Sequence, residues 1–236
     1  MSTALRHSNS AESLSPARVH DTLRRHLLTD GVDLVLDLER SRGVRLVDQR
    51  DGTTYLDMFG FFASSAIGMN HPALADDPGA AEEFGTVAPN KPSNSDIYTV
   101  PMARFVDTFA RVLGDPDLPH LFFVDGGGLA VENALKAAFD WKSRVNESRG
   151  IDPALGGAVL HLSEAFHGRT GYTMSLTNTD PVKTDRFPKF DWPRIDAPYL
   201  CDGRDIAEAE ERALDQARAA FAERPHDIAC FIAEPV

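Results

Sequence analysis

The chain contains 236 residues, of which 42% are hydrophobic and 25% are charged. This composition is sufficient for a buried core and excludes a disordered or fibrous protein. The 24 basic and 36 acidic residues give a formal net charge of −12, which disfavours nucleic acid and anionic membranes as partners. The two cysteines, Cys201 and Cys230, lack metal-binding or redox spacing, which favours a reducing compartment. Because no secretory or membrane-spanning segment stands out, the sequence predicts a cytoplasmic protein.

For the N-terminal part of the chain, the sequence predicts few helices and strands. Residues 1–14 are polar and serine-rich and predict a disordered tail. Residues 16–28 predict a helix capped by Ser15. Residues 42–58 predict a β-hairpin, because apolar residues flank an Asp-Gly pair. Residues 76–95, with three prolines and few large apolar side chains, predict a loop.

From residue 101 onward, helical and strand patterns alternate. The first helical pattern stops at Gly114, and an apolar run at 120–124 predicts a buried strand before a glycine run. The predicted elements that follow are helix 129–146, strand 158–162, an irregular loop over 180–203, helix 206–221 and strand 227–233. Strands that alternate with helices predict an α/β fold with a largely parallel sheet.

The residues that follow predicted strands are the first candidates for a site, because ligands bind beyond the carboxyl ends of parallel strands. One such junction, at 125–128, holds three consecutive glycines directly before a long helix. Backbone N–H groups at a helix N-terminus attract a phosphate. The glycines are equally consistent with a tight turn alone, and they match neither of the common nucleotide-binding patterns.

Two further junctions carry aromatic or charged side chains. At the first, Phe166 and His167 are followed by Arg169, a set that can stack against a planar ring and bind a carboxylate. The alternatives are a core aromatic residue, a satisfied buried imidazole and a solvated arginine. At the second, Glu234 ends the last predicted strand, where an ordinary solvent-facing carboxylate is the alternative. Metal ligation is not indicated, because the carboxylates near His161 and His167 lack ligand spacing.

Five segments are informative because they occur together in one order. They read GVRLVDQRDGTTYLD (43–57), GMNHP (68–72), FVDGGGLAVENALK (123–136), FHGRT (166–170) and FIAEPV (231–236). Taken together, they resemble the class III, fold-type I pyridoxal-phosphate aminotransferases, over about residues 35–236. The resemblance implies that family's α/β fold, with the N-terminal part of a small domain over 15–75 and an incomplete large domain over 76–236.

The resemblance also implies a cofactor, pyridoxal 5′-phosphate, and a set of residues that contact it. The implied cofactor-binding residues are Gly127, Gly128, Phe166, His167 and Glu234. The two glycines would donate backbone N–H groups to the phosphate. The phenylalanine would stack on the pyridine ring with the histidine beside it, and the glutamate would line the same pocket. Arg169 would bind a substrate carboxylate.

Within the family, three segments are most similar to members that act on L-lysine. They are GGGLAVENALKAAFDWK (126–142), SLTNTDP (175–181) and FPKFDWPRIDAP (187–198). The implied reaction transfers the ε-amino group of L-lysine to 2-oxoglutarate and yields 2-aminoadipate 6-semialdehyde and L-glutamate. The alternatives are an ornithine- or 4-aminobutyrate-type ω-aminotransferase, or a non-catalytic binding or assembly module. A homodimer is implied by resemblance alone.

The family's Schiff-base lysine has no counterpart among the residues of this chain. In the family, that lysine follows the strand that here ends in Glu234-Pro235-Val236, so we expect it beyond Val236. The lysines present, at 91, 136, 142, 183 and 189, all precede that strand. The sequence therefore predicts the N-terminal portion of an aminotransferase, inactive without the remainder.

Overall fold

The computed structural model describes residues 14–92 and 96–234. Two compact units make up the chain, the first ending at Asp115 and the second beginning at Pro116. The predicted limit between 75 and 76 concerns the domains of the complete fold and stays a prediction. The predicted disordered tail lies outside the described residues except for Leu14.

The described part of the first unit contains short helices and one small sheet. The helices are α1 (Val19–Arg24), α2 (Pro72–Ala75), α3 (Pro78–Val87) and α4 (Val100–Leu113), and the strands are β1 (Arg45–Val47) and β2 (Thr54–Leu56). A 3₁₀ turn at Pro16–Arg18 leads into α1. The helix predicted at 16–28 is therefore present but ends early, and Ser15 makes no side-chain capping bond.

The predicted β-hairpin is confirmed. Strands β1 and β2 are antiparallel, with Leu46 opposite Tyr55. In the connecting turn, Gly52 has a φ of +79°, which a residue with a side chain rarely adopts. Arg50 binds the Asp48 carboxylate through its side chain, and these hydrogen bonds lower the pKa of Asp48 to about 2. The turn thus depends on a glycine with a positive φ and on the ion pair between Arg50 and Asp48.

The loop predicted at 76–95 is wrong for much of its length, because helix α3 occupies Pro78–Val87. Helix α3 begins at Pro78, and the Asp77 carboxylate accepts a hydrogen bond from the Gly79 N–H. Proline suits the first turn of a helix and aspartate suits the cap, so the prolines start this helix rather than prevent it. Residues 93–95 of the predicted loop lie outside the described residues. Helix α4 is confirmed and ends before Gly114.

The second unit is an α/β layer structure. Its elements are α5 (Gly127–Ser148), β3 (Ala158–Leu162), α6 (Pro181–Thr184), β4 (Arg194–Ile195), α7 (Ile206–Glu223) and β5 (Ile228–Ile232). The three strands form a parallel sheet in the order β4-β3-β5, as predicted for this fold class. The predicted helices at 129–146 and 206–221 and the strands at 158–162 and 227–233 are confirmed, with α5 starting earlier, at Gly127.

The core of the second unit lies around the central strand. Val159 and Leu160 of β3 are buried with Leu135 of α5 and Ile228 of β5. Trp192 joins them and stacks on Phe190, with ring centroids 5.0 Å apart. Because β3 is covered on both faces, its sequence reads as an apolar run rather than as an alternating one.

Two predictions for the second unit need correction. Residues 120–124 form no strand, and Phe122 is 72% exposed. A strand needs a neighbour for its backbone hydrogen bonds, and none of the strands in the described chain lies beside this segment. The predicted irregular loop at 180–203 contains α6 and β4. Strand β4 forms because Arg194 and Ile195 pair with His161 and Leu162 of β3.

Candidate functional site

Helix α5 begins at the predicted glycine run. Gly126 precedes it with a φ of +94°, and the first helical hydrogen bond runs from the Ala130 N–H to the Gly126 carbonyl. The N–H groups of Gly127, Gly128 and Leu129 therefore have no acceptor within the helix. Apart from the adjacent residues and the backbone of α5 itself, no heavy atom of the described residues lies within 4 Å of the position a Cβ would take at Gly126 or Gly127. This open helix start can approach an anion closely.

The segment 166–170 packs directly against that helix start. Gly168 has a φ of +118°, and a Cβ on it would lie 2.8 Å from the Cα of Gly128 and 2.9 Å from the Oγ1 of Thr173. Only glycine fits, because backbone atoms are present on the side where a Cβ would point. The contact between Gly128 and Gly168 brings together two of the three junctions that the sequence analysis singled out.

Glu132, one turn further along α5, connects the helix to the residues that follow Arg169. Glu132 is 8% exposed. Its carboxylate accepts hydrogen bonds from the Thr170 hydroxyl at 2.6 Å, the Tyr172 N–H at 2.5 Å and the Thr173 N–H at 3.1 Å. Sequence reasoning missed this residue. A carboxylate among the apolar positions of a helix that follows a glycine run was the available signal.

Thr177 holds the main chain on the other side of Arg169. Its Oγ1 accepts a hydrogen bond from the His167 N–H at 3.0 Å and donates one to the Gly168 carbonyl. Thr177 is 1% exposed, so these bonds are shielded from water. The backbone around Arg169 is therefore held by buried side chains on both flanks, and this second residue was also not singled out from the sequence.

The Arg169 side chain itself is exposed. Its Cζ lies 5.8 Å from the centre of the Phe166 ring. Phe166 is 46% exposed, so it is not a core aromatic residue and is accessible to a ligand. A cation that can bind a carboxylate in a fork geometry thus stands beside a surface for a planar ring.

Glu234 reaches the same segment from the end of β5. Its Oε2 accepts a hydrogen bond from the Phe166 N–H at 2.8 Å. The third junction therefore meets the second, and Glu234 is more than a solvent-facing end of a strand. Glu234 contacts Phe166, Phe166 contacts Arg169, and Gly168 contacts Gly128. These contacts connect the three predicted junctions into one group.

The two histidines of this region are buried. The Nε2 atoms of His161 and His167 have no hydrogen-bond partner among the described residues. Burial lowers the pKa of His167, against an opposing effect of the nearby Glu234 carboxylate. Burial also lowers the pKa of His161 to about 4. Burial thus favours the neutral form of both imidazoles, and the unpartnered Nε2 of His167 differs from the satisfied imidazole considered as an alternative.

Other kinds of site find little support in residues 14–92 and 96–234. No group of three or more His, Cys, Asp or Glu side chains is arranged there to hold a metal ion. None of the helices in these ranges is long and apolar enough to cross a membrane. Cys201 is exposed and Cys230 is partly buried, and burial raises the pKa of the Cys230 thiol.

The chain belongs to the class-III aminotransferases, whose family pattern matches residues 29–236. The resemblance inferred from the sequence segments, and the fold that it implied, are thereby confirmed. Among individual relatives, L-lysine-epsilon aminotransferase of Mycobacterium tuberculosis is 68% identical over 225 residues, which cover 94% of this chain and 50% of the relative. L-lysine-epsilon aminotransferase of Streptomyces clavuligerus is 58% identical, with coverage of 92% and 49%.

A solved structure supports the same relationship. The lysine aminotransferase from M. tuberculosis in the internal aldimine form matches with a TM-score of 0.90 at 68% identity. The match covers 94% of this chain and 52% of that structure. The chain therefore spans about half the length of the curated relatives it matches.

Proposed function

We propose that the protein carrying this chain transfers the ε-amino group of L-lysine to 2-oxoglutarate, using pyridoxal 5′-phosphate. The products would be 2-aminoadipate 6-semialdehyde and L-glutamate. The contact between Gly128 and Gly168 carries the proposal, because it sets a carboxylate-binding arginine and an exposed ring beside an open helix start. The 68% identity to an L-lysine-epsilon aminotransferase supports the choice of amine donor.

The residues of the group match the parts of the proposed cofactor. The N–H groups of Gly127 and Gly128 would bind its phosphate, because they lack acceptors within the helix and the space beside Gly127 is open. The exposed face of Phe166 would stack on its ring, and Glu234 would line the pocket while holding the Phe166 backbone. When bound, this cofactor supplies an electron sink for the reaction at the carbon that bears the amine.

Two side chains are proposed to act on substrate and cofactor directly. Arg169 would bind the α-carboxylate of L-lysine in one half-reaction and a carboxylate of 2-oxoglutarate in the other. Its guanidinium is exposed and lies over the Phe166 ring, and the hydrogen bonds described above hold the flanking residues rather than this side chain. His167 would offer its unpartnered Nε2 to the bound cofactor in neutral form, because burial lowers its pKa.

The remaining parts of the site are proposed to come from outside the 236 residues. The Schiff-base lysine would lie C-terminal to Val236, in the half of the relatives that this chain does not span. A homodimer is proposed for the complete protein, in keeping with the family resemblance. Cytoplasmic location remains an expectation from the sequence.

Amine-donor profiling of the full-length protein tests the proposal. We expect turnover of L-lysine with 2-oxoglutarate, and much weaker turnover of ornithine and 4-aminobutyrate, with L-glutamate as the common product. Arg169→Lys should lower kcat/KM by about 10- to 100-fold, because a point charge cannot replace a bidentate fork. Preference for ornithine or 4-aminobutyrate would reject the lysine assignment.

The non-catalytic alternative has its own test. Borohydride treatment of the full-length protein with pyridoxal phosphate should attach the cofactor to one lysine that lies outside the present sequence. The 236-residue chain treated in the same way should show no label at a defined lysine. Absence of a label in the full-length protein would favour a binding or assembly module.

A further inference from the structure

We infer that Glu132 is a positioning residue for substrate binding, which sets the place of Arg169 relative to the start of α5. The inference rests on the proposed function, in which Arg169 binds the substrate carboxylates. Glu132 contacts neither the guanidinium nor the proposed phosphate site. It acts through residues 170–173, because its carboxylate accepts hydrogen bonds from the Thr170 hydroxyl and from the main-chain N–H groups of Tyr172 and Thr173.

Because Glu132 is buried, its hydrogen bonds restrict the movement of residues 170–173. Glu132 is 8% exposed, and none of the ion pairs among the described residues includes its carboxylate. The three donors from Thr170, Tyr172 and Thr173 therefore compensate its charge. All three donate to the same oxygen, Oε1, so one atom of α5 fixes one short stretch of chain. Moving that stretch away would leave a buried carboxylate without partners, which is costly.

Arg169 lies between the residues that Glu132 binds and the residues that Thr177 binds. Thr177 holds the main chain at His167 and Gly168. Glu132 holds the Thr170 hydroxyl and the main chain at Tyr172 and Thr173. Glu132 stands one turn after Gly128 on the same helix, and Gly168 packs on the Gly128 Cα. The separation between the proposed phosphate-binding amides and the guanidinium is thus set by a rigid helix and a pinned backbone. A ligand bound at both places senses that separation.

The test compares four variants of the full-length protein. Glu132→Ala removes the acceptor, Glu132→Gln keeps a neutral oxygen at the same place, and Thr170→Val removes one donor. Glu147→Gln is the matched control, since Glu147 is an exposed carboxylate on the same helix. We expect Glu132→Ala to raise KM for both L-lysine and 2-oxoglutarate by about 10- to 100-fold, with a smaller change in kcat. The KM values of Glu132→Gln and Thr170→Val should lie between those of Glu132→Ala and those of the unchanged control.

A second measurement, which does not depend on enzyme activity, reports on the hydrogen bonds that Glu132 accepts. Hydrogen exchange in the cofactor-free full-length protein should be faster at the Tyr172 and Thr173 amides in Glu132→Ala, and unchanged there in Glu147→Gln. If Glu132→Ala does not fold, Glu132→Gln and Thr170→Val carry the test. Native KM values for both of these folded variants would overturn the inference.

Combination with Arg169→Ala separates the inference from the proposed function. If Arg169→Ala leaves KM unchanged, the proposed role of Arg169 is wrong and the inference falls with it. If Arg169→Ala raises KM, Glu132→Ala should add little in that background, because its effect passes through Arg169. An equal effect of Glu132→Ala with and without Arg169 would show general damage and overturn the inference alone, leaving the proposed function intact.

Discussion

His161 is a fully buried imidazole on the central strand of the second unit. It is 0% exposed, and its Nδ1 lies 3.4 Å from the Val159 carbonyl. Burial is the main reason why its pKa falls from 6.5 to about 4, and the nearby Arg194 charge acts in the same direction. A proton on this residue would place an uncompensated charge inside the sheet.

This burial predicts a pH dependence of stability. Between about pH 6.5 and 4, the unfolded state binds a proton at His161 that the folded state refuses. The free energy of unfolding should therefore fall as the pH is lowered through this window, by at most about 1.4 kcal/mol per pH unit from this residue. Thermal unfolding of the full-length protein at a series of pH values measures the slope, and His161→Leu should flatten it.

His120→Gln provides the control, because His120 is exposed and should leave the slope unchanged. An equal slope in the parent protein and in His161→Leu would contradict the assignment.

At the scale of elements, α5 has a distinct task at each end. Its N-terminus leaves N–H groups free beside Gly168, as described above. Near its C-terminus, Asn146 is 1% exposed, and its Nδ2 donates to the Leu155 carbonyl at 3.1 Å and to the His226 carbonyl at 3.0 Å. Asn146 therefore connects the helix to the segments that lead into β3 and β5, the two strands whose ends carry the site.

Replacing Asn146 should loosen this connection. We expect Asn146→Ala to destabilise the protein by about 1–3 kcal/mol, because two carbonyls lose a buried donor. Urea unfolding of the cofactor-free full-length protein, followed by circular dichroism, measures the loss. Ser148→Ala is the control, since the exposed Ser148 hydroxyl donates only to Val145 of its own helix. A shift no larger than that of the control would argue against the proposed connection.

At the scale of the whole chain, many large apolar side chains are exposed. Met58, Phe62 and Leu200 are 86%, 88% and 85% exposed, and Phe231 of β5 is 54% exposed. Exposed apolar surface and an open sheet edge favour association with other chains. The chain also spans about half of its relatives, so these surfaces are candidates for burial in a complete protein.

We therefore expect the 236 residues produced alone to aggregate, or to bind a hydrophobic dye far more strongly than the full-length protein does. Light scattering and the fluorescence of 1-anilinonaphthalene-8-sulfonate measure the two outcomes. A soluble monomer with a sharp, cooperative thermal transition and no dye binding would contradict this expectation.

Local patterns in the sequence were sufficient for most of the regular elements. Helices α4, α5 and α7 follow from apolar spacing and terminating residues, because helix formation depends on neighbours a few positions apart. Strands β3 and β5 follow from short apolar runs, and the β1–β2 hairpin follows from its Asp-Gly turn. Helix α3 carried the same kind of signal, Asp77 before Pro78, but the prolines were interpreted as loop residues.

The errors and omissions elsewhere involve residues that are distant in sequence. Strand β4 has two residues and exists because β3, about thirty positions earlier, pairs with it. The apolar run at 120–124 has a strand-like sequence but no pairing partner in the described chain. Hydrogen bonding between strands depends on which segments meet, and composition within one segment carries little information about that.

The site divides in the same way. Sequence motifs identified the family and proposed Gly127, Gly128, Phe166, His167, Arg169 and Glu234, because those residue types carry the chemistry. The contacts of Gly168 with Gly128 and of Glu234 with Phe166 emerged only on folding, as did the hydrogen bonds of Glu132 and Thr177. Each of these contacts joins residues at least nine positions apart, so close packing and burial create the geometry on which the proposed roles of these side chains depend.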